Sequence, residues 1–149
     1  MMVRLFAAVL VLLFAASTPV FAQQPEAAGR VKVVSGAAFI VRAGNTIKAT
    51  AGEAIFATDT LRTGADGTLG VTFKDATRLS LGPSSEIKVE KFAYAPQAGS
   101  LAMVIRFVRG ATAYVSGRIA KLAPDAVRLE TPAAIVGVRG TTLLIQVQP

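Results

Sequence analysis

An all-β domain of short strands, in a solenoid-like or sandwich arrangement and standing as a single domain behind an N-terminal signal peptide, is the fold this sequence predicts. Three observations predict it. After residue 28 the chain falls into runs of about four to eight residues rich in Val, Ile, Thr and Phe, the types that suit a pleated, half-buried backbone. Clusters of Gly, Pro, Asn, Asp and Ser separate these runs at a spacing of roughly 8 to 12 residues. Within the runs apolar and polar positions alternate: Leu69, Val71 and Phe73 with Gly70, Thr72 and Lys74, and Ile87 and Val89 with Glu86, Lys88 and Glu90. That period of two buries one face and wets the other. Periodicity does not choose between a sandwich and stacked β coils, and no exact internal repeat points to the latter.

Residues 1–22 come first. Arg4 is their only charge, 5–16 are apolar, and Ser17, Thr18, Pro19, Val20, Phe21 and Ala22 close the segment. A basic start, an apolar stretch of about 7 to 15 residues and small residues at a cleavage point are the order of a secretory signal, so cleavage is expected after Ala22. The alternative is an uncleaved membrane anchor, which wants about 20 apolar residues and here meets a proline. Without cysteine there is neither a lipid anchor on an N-terminal cysteine nor a disulfide, and an oxidising compartment permits disulfides without requiring them. The remaining residues, 23–149, are enough for one core. Residues 23–28, mostly Gln, Pro and Ala without periodicity, are expected as a disordered lead-in, and 29–149 as one β domain.

Strands are expected at 30–34, 37–42, 46–49, 60–63, 68–74, 77–81 and 86–92. Their turns are Ser35-Gly36, Gly44-Asn45, Gly64-Ala65-Asp66-Gly67 and Gly82-Pro83-Ser84-Ser85. The second half continues with 101–108, 111–115, 126–131, 133–138 and 141–147. Between them 116–125, SGRIAKLAPD, breaks the alternation and is expected as a protruding loop. Residues 131–147, TPAAIVGVRGTTLLIQV, are the best-specified stretch: apolar, small or β-branched almost throughout, they read as buried strands packed on the rest of the chain. Pro132 lacks an amide hydrogen and fits the start of a strand or the turn before it. Gly137 and Gly140 bracket Val138 and Arg139 and mark a bulge, bend or close backbone approach. Arg139 is the one charge in this run; its guanidinium either ties down carbonyl groups freed by the bend or anchors a partner's carboxylate.

TPAAIVGVRGT resembles the C-terminal signature of the FecR domain, found in the periplasmic part of FecR-type sigma-factor regulators and in secreted envelope proteins. LRTGADGTLGVTFKDATRLSLGPSSEIKV, 61–89, is similar to the middle pattern of that family, and VRGATAYVSGRIAKLAPDAVRLETP, 108–132, to its linking segment. Three blocks in the right order are a stronger signal than one, and they cover roughly 29–147. Ala76 departs from the pattern, which commonly has glycine after the aspartate, so an Asp-Gly type I′ hairpin is not expected at Asp75-Ala76. The resemblance implies a solenoid-like β arrangement. In full regulators of the family an anti-sigma region precedes a membrane helix and a receptor-contacting subdomain follows; with four residues before its apolar segment, this chain is expected to carry neither.

The chain has no His, Cys or Trp, which removes histidine bases, Ser-His-Asp triads, cysteine nucleophiles and ordinary zinc sites. Asp59, Asp66 and Asp75 sit at turns, where aspartate caps amides; Glu86 and Glu90 with Lys88 read as a solvated edge that deters strand addition. Ser116 and Lys121 have no recognised Ser-Lys spacing, and phosphate-binding glycine patterns are absent. No enzyme, cofactor or metal is expected. The net charge of +7 invites polyanions: Arg106, Arg109, Arg118, Lys121 and Arg128 crowd the second half near Phe107 and Tyr114. An export signal and few aromatic platforms argue against nucleic acid.

The reading is a periplasmic or secreted, non-enzymatic protein-interaction module, with a signalling relay as its setting. It would present an edge strand and the 116–125 loop to an envelope protein, such as a membrane regulator or an outer-membrane receptor. Arg118, Lys121 and Arg139 are the candidate partner-binding residues. The alternative is an envelope-binding module for an anionic glycan or lipid surface.

Overall fold

The structure, a computed structural model, describes residues 18–22, 24–138 and 142–148. Among these are twelve strands and one short helix: β1 Gly29–Ser35, β2 Ala38–Arg42, β3 Asn45–Lys48, β4 Ala54–Ile55, β5 Thr60–Thr63, β6 Thr68–Phe73, β7 Arg78–Leu81, β8 Glu86–Ala95, β9 Ser100–Val115, α1 Arg118–Leu122, β10 Val127–Glu130, β11 Ile135–Gly137 and β12 Thr142–Val147. Most of the segment expected as a signal, 1–17, lies outside the described residues. Of the observed strands only β4 has no counterpart among those expected; its two residues are too few to show a period.

β9 organises the rest. Its first half lies between β8 and β10 and its second half between β7 and β12. The sheet thereby curls into two leaves that share this strand, β3-β2-β5-β8-β9-β10-β11 and β4-β1-β6-β7-β9-β12, antiparallel except where β10 runs parallel to β9. The joint is Gly110, at φ +83°, where a Cβ would fall 2.2 Å from Ser85 Oγ and 2.6 Å from its Cα. Only glycine fits both the conformation and the space. The two strands expected at 101–108 and 111–115 are therefore one, because this glycine bends the ladder without ending it.

The leaves close on one core. Ile40, Leu61, Ile87, Val89, Ile105 and Phe107 come from one and Val31, Leu69, Val71, Leu79, Leu81 and Tyr114 from the other, all buried. Phe73 of β6 and Phe92 of β8 meet across it with ring centroids 5.4 Å apart. Of the two arrangements left open, the chain adopts curled antiparallel leaves over a common core in place of stacked coils. The lead-in expected over 23–28 is anchored at its last residue: Ala28 is buried, its N–H donates to the Ile55 carbonyl at 2.7 Å, and its carbonyl accepts from Lys74 N at 2.9 Å.

Three expectations change. β8 is no edge: it lies between β5 and β9, so Glu86 and Glu90 stand on the outer face of a central strand. The 116–125 segment is no protruding loop, because it forms α1 and a 3-10 turn at Pro124–Ala126, with Ile119 and Ala120 buried in the core. The strands of 131–147 form but are not the buried pair expected. β11 pairs with β10 and β12 with β9, and all three residues of β11 are exposed.

Candidate interaction surface

The hairpin of β10 and β11 turns at Pro132 and Ala133. Thr131 N–H donates to the Ala134 carbonyl at 2.8 Å, and Thr131 Oγ1 accepts from Ala133 N at 3.3 Å and Ala134 N at 3.1 Å. A threonine hydroxyl that satisfies turn amides makes this corner rigid, and Pro132 sits where no N–H is needed. Beyond the turn, Ile135 is 62% exposed and Val136 37%, and Val138 returns to the core. β10, by contrast, buries Val127 and Leu129.

α1 bears the candidate residues Arg118 and Lys121. Both are exposed on one face of the helix with Leu122, and among the described residues neither takes part in an ion pair. The β6–β7 turn holds the helix in place. Asp75, fully buried, accepts from Thr77 N at 3.1 Å, Thr77 Oγ1 at 2.7 Å and Ile119 N at 3.2 Å, while its own carbonyl accepts from Arg118 N at 2.8 Å. A carboxylate from a distant turn thus caps a helix whose own N-cap, Gly117, has no side chain to do so. Gly117 is required there, since a Cβ would lie 2.4 Å from both Asp75 O and Thr77 N. Burial, and then the Asp75 charge, push the Tyr114 phenol up to about 12. Tyr114 Oη has no hydrogen-bond partner among the described residues.

A shallow pocket lined by Pro124, Asp125, Val127, Arg128, Gly137 and Val138 joins the turn after α1 to the end of β11. Arg118 and Lys121 do not line it, so the pocket joins the edge strand to the turn after α1 and not to those two side chains. Arg139, the third candidate, lies outside the described residues.

The rest of the basic second half is occupied. Glu86 bridges Arg62 at 3.3 Å and Arg109 at 3.5 Å; Glu90 meets Lys88 at 3.7 Å and Arg106 at 3.4 Å; Glu130 meets Arg106 and Arg128, each at 3.3 Å. Opposite charges alternate across β5, β8, β9 and β10, so this face is not an open basic patch. Phe107 and Tyr114 are buried and offer no stacking platform. Asp59 and Asp75 cap amides as expected from their turns, Asp59 also holding Arg42 Nε at 2.9 Å. Ile135 and Val136 were missed as surface residues, since a continuous apolar run does not say which of its members will be covered. The reach of Asp75 to α1 had no signal beyond an aspartate in a turn.

The family model described as FecR protein matches residues 59–149. The match begins just before β5, whereas β1 to β4, which complete both leaves, precede it. No curated protein and no solved structure matches the chain.

Proposed function

The chain belongs to the FecR protein family, one of signalling-related periplasmic domains, and on that premise we propose that it is an exported, non-enzymatic interaction module in a signalling relay of the periplasm or envelope. The observation that carries this reading is β11, an edge strand with every residue exposed and Ile135 62% open, on a rigid hairpin. Exposed edges of this kind accept an added strand, with main-chain bonds supplying affinity and side chains supplying selectivity. The face of α1 adds Arg118 and Lys121 beside exposed Leu122, which suits an acidic and apolar surface on an envelope protein such as a membrane regulator or outer-membrane receptor.

In-cell crosslinking of the tagged protein, followed by mass spectrometry, tests this. A membrane regulator or receptor is expected with the wild type and is lost with Arg118→Glu/Lys121→Glu. Recovery of lipid or glycan alone, released by raised salt, would sink the relay and favour an anionic envelope surface.

A further inference from the structure

β11 closes one leaf, and among the described residues it pairs only with β10. Natural edges are guarded by charge, proline, a bulge or extreme shortness. β4 has two residues and β3 ends on Lys48; β11, Ile-Val-Gly, is short at three residues, but like β12 on the other leaf it has no charge, proline or bulge. The aim of its free backbone groups follows from the hairpin. Thr131 donates to the Ala134 carbonyl, so the closing pair is hydrogen-bonded, and the register then runs Glu130 to Ile135, Leu129 to Val136 and Arg128 to Gly137. Bonded and non-bonded pairs alternate along antiparallel strands. Val136 therefore directs its N–H and C=O at β10, and Ile135 and Gly137 direct theirs outward.

We propose that a second copy of this chain occupies the β11 edge, the two β11 strands pairing antiparallel about a twofold axis at Val136. This rests on the interaction-module reading and names the partner of one of its two surfaces, leaving the α1 face to the envelope protein. Ile135 of each copy faces Gly137 of the other, exchanging N–H to C=O bonds in both directions. Nothing lies within 4 Å of where a Gly137 Cβ would sit, so the incoming Ile135 meets open space. The two Val136 side chains meet on the axis and extend the buried row that begins at Leu129. Across the joined sheet each outer row runs from Glu130 through Ile135 and Gly137 to Arg128 of the other copy, so no like charges meet. A second copy satisfies this edge by symmetry, as isologous contacts do. Three residues make a small interface, so the dimer is reversible and concentration-dependent.

Sedimentation equilibrium of the purified protein over about 10 to 500 µM, a range suited to weak association, tests the proposal. The average mass of the wild type should rise toward twice that of the monomer. Val136→Lys and Val136→Glu should each stay monomeric with little change in melting temperature, since Val136 is 37% exposed, and their equimolar mixture should recover the dimer. The chain has no cysteine. Val136→Cys should therefore link to itself on oxidation, because facing residues in a non-bonded pair lie about 4.5 Å apart, within disulfide reach. Ile135→Cys, which faces glycine, should not. A wild type that stays monomeric, with no Val136→Cys crosslink, overturns the proposal, and so does a Val136→Lys variant that still dimerises. A monomeric wild type whose capture of an envelope protein is lost with Val136→Lys gives the edge to that protein, overturning the dimer and leaving the module. A dimer that persists while no envelope protein is captured sinks the relay reading alone.

Discussion

Ala76 and Tyr114 show how single side chains strain or tune this fold. Ala76 sits at φ +70° in the β6–β7 turn, and its N–H donates to the Phe73 carbonyl at 3.0 Å. That is a three-residue loop ending in a left-handed residue, so the two-residue type I′ turn is indeed absent. A left-handed L-residue costs about 1 to 2 kcal/mol; glycine removes that cost, and its greater unfolded-state freedom offsets part of the gain. Ala76→Gly should stabilise the protein by about 0.5 to 1 kcal/mol, raising the melting temperature by a few degrees in calorimetry. Tyr114 carries a pH dependence. Its folded pKa of about 12 lies above the ordinary value near 10. Below pH 10 the phenol is protonated in both states; between 10 and 12 the unfolded chain releases the proton first, so stability falls as pH rises. Tyr114→Phe should match the wild type at pH 8 and lose less stability by pH 12, by an amount on the order of 2 kcal/mol in denaturant titrations.

The bend in β9 and the docking of α1 are set by elements meeting. Gly110→Ala should cost about 3 kcal/mol or more, because its Cβ would collide with the Ser85 backbone at a left-handed φ. Asp75→Ala leaves the Ile119 amide and the Thr77 groups without their acceptor; a loss of about 2 to 4 kcal/mol is expected, with limited proteolysis appearing first within 116–125. Turns and strand starts were legible because Gly, Pro, Asn and Asp act within a few residues. The helix was not, since five residues carry too little period and its cap comes from a turn more than forty residues earlier. The continuity of β9 was hidden for a related reason. A glycine reads alike whether a strand bends or ends there.

Over the whole molecule, charge is distributed by the sheet. The surplus of cations remains, but Glu86, Glu90 and Glu130 neutralise much of one leaf's outer face. Such half-exposed pairs are each worth about 1 kcal/mol or less, so Glu86→Gln/Glu90→Gln should shift unfolding by about 1 to 2 kcal/mol. The same change frees Arg62, Lys88 and Arg109 and leaves Arg106 paired with Glu130 alone, and it should strengthen retention on an immobilised anionic polymer at low salt, an increase lost as salt rises. Sequence alone determined the β class, the family, most strand bounds and the capping role of Asp59 and Asp75, because alternation and turn chemistry act over a few residues. Tertiary structure decided which apolar strands are covered, which charges are paired and where Arg118 and Lys121 stand. Burial and pairing depend on neighbours brought from far along the chain: the stretch 131–147 reads as core throughout, yet β11 is left open because the sheet ends there.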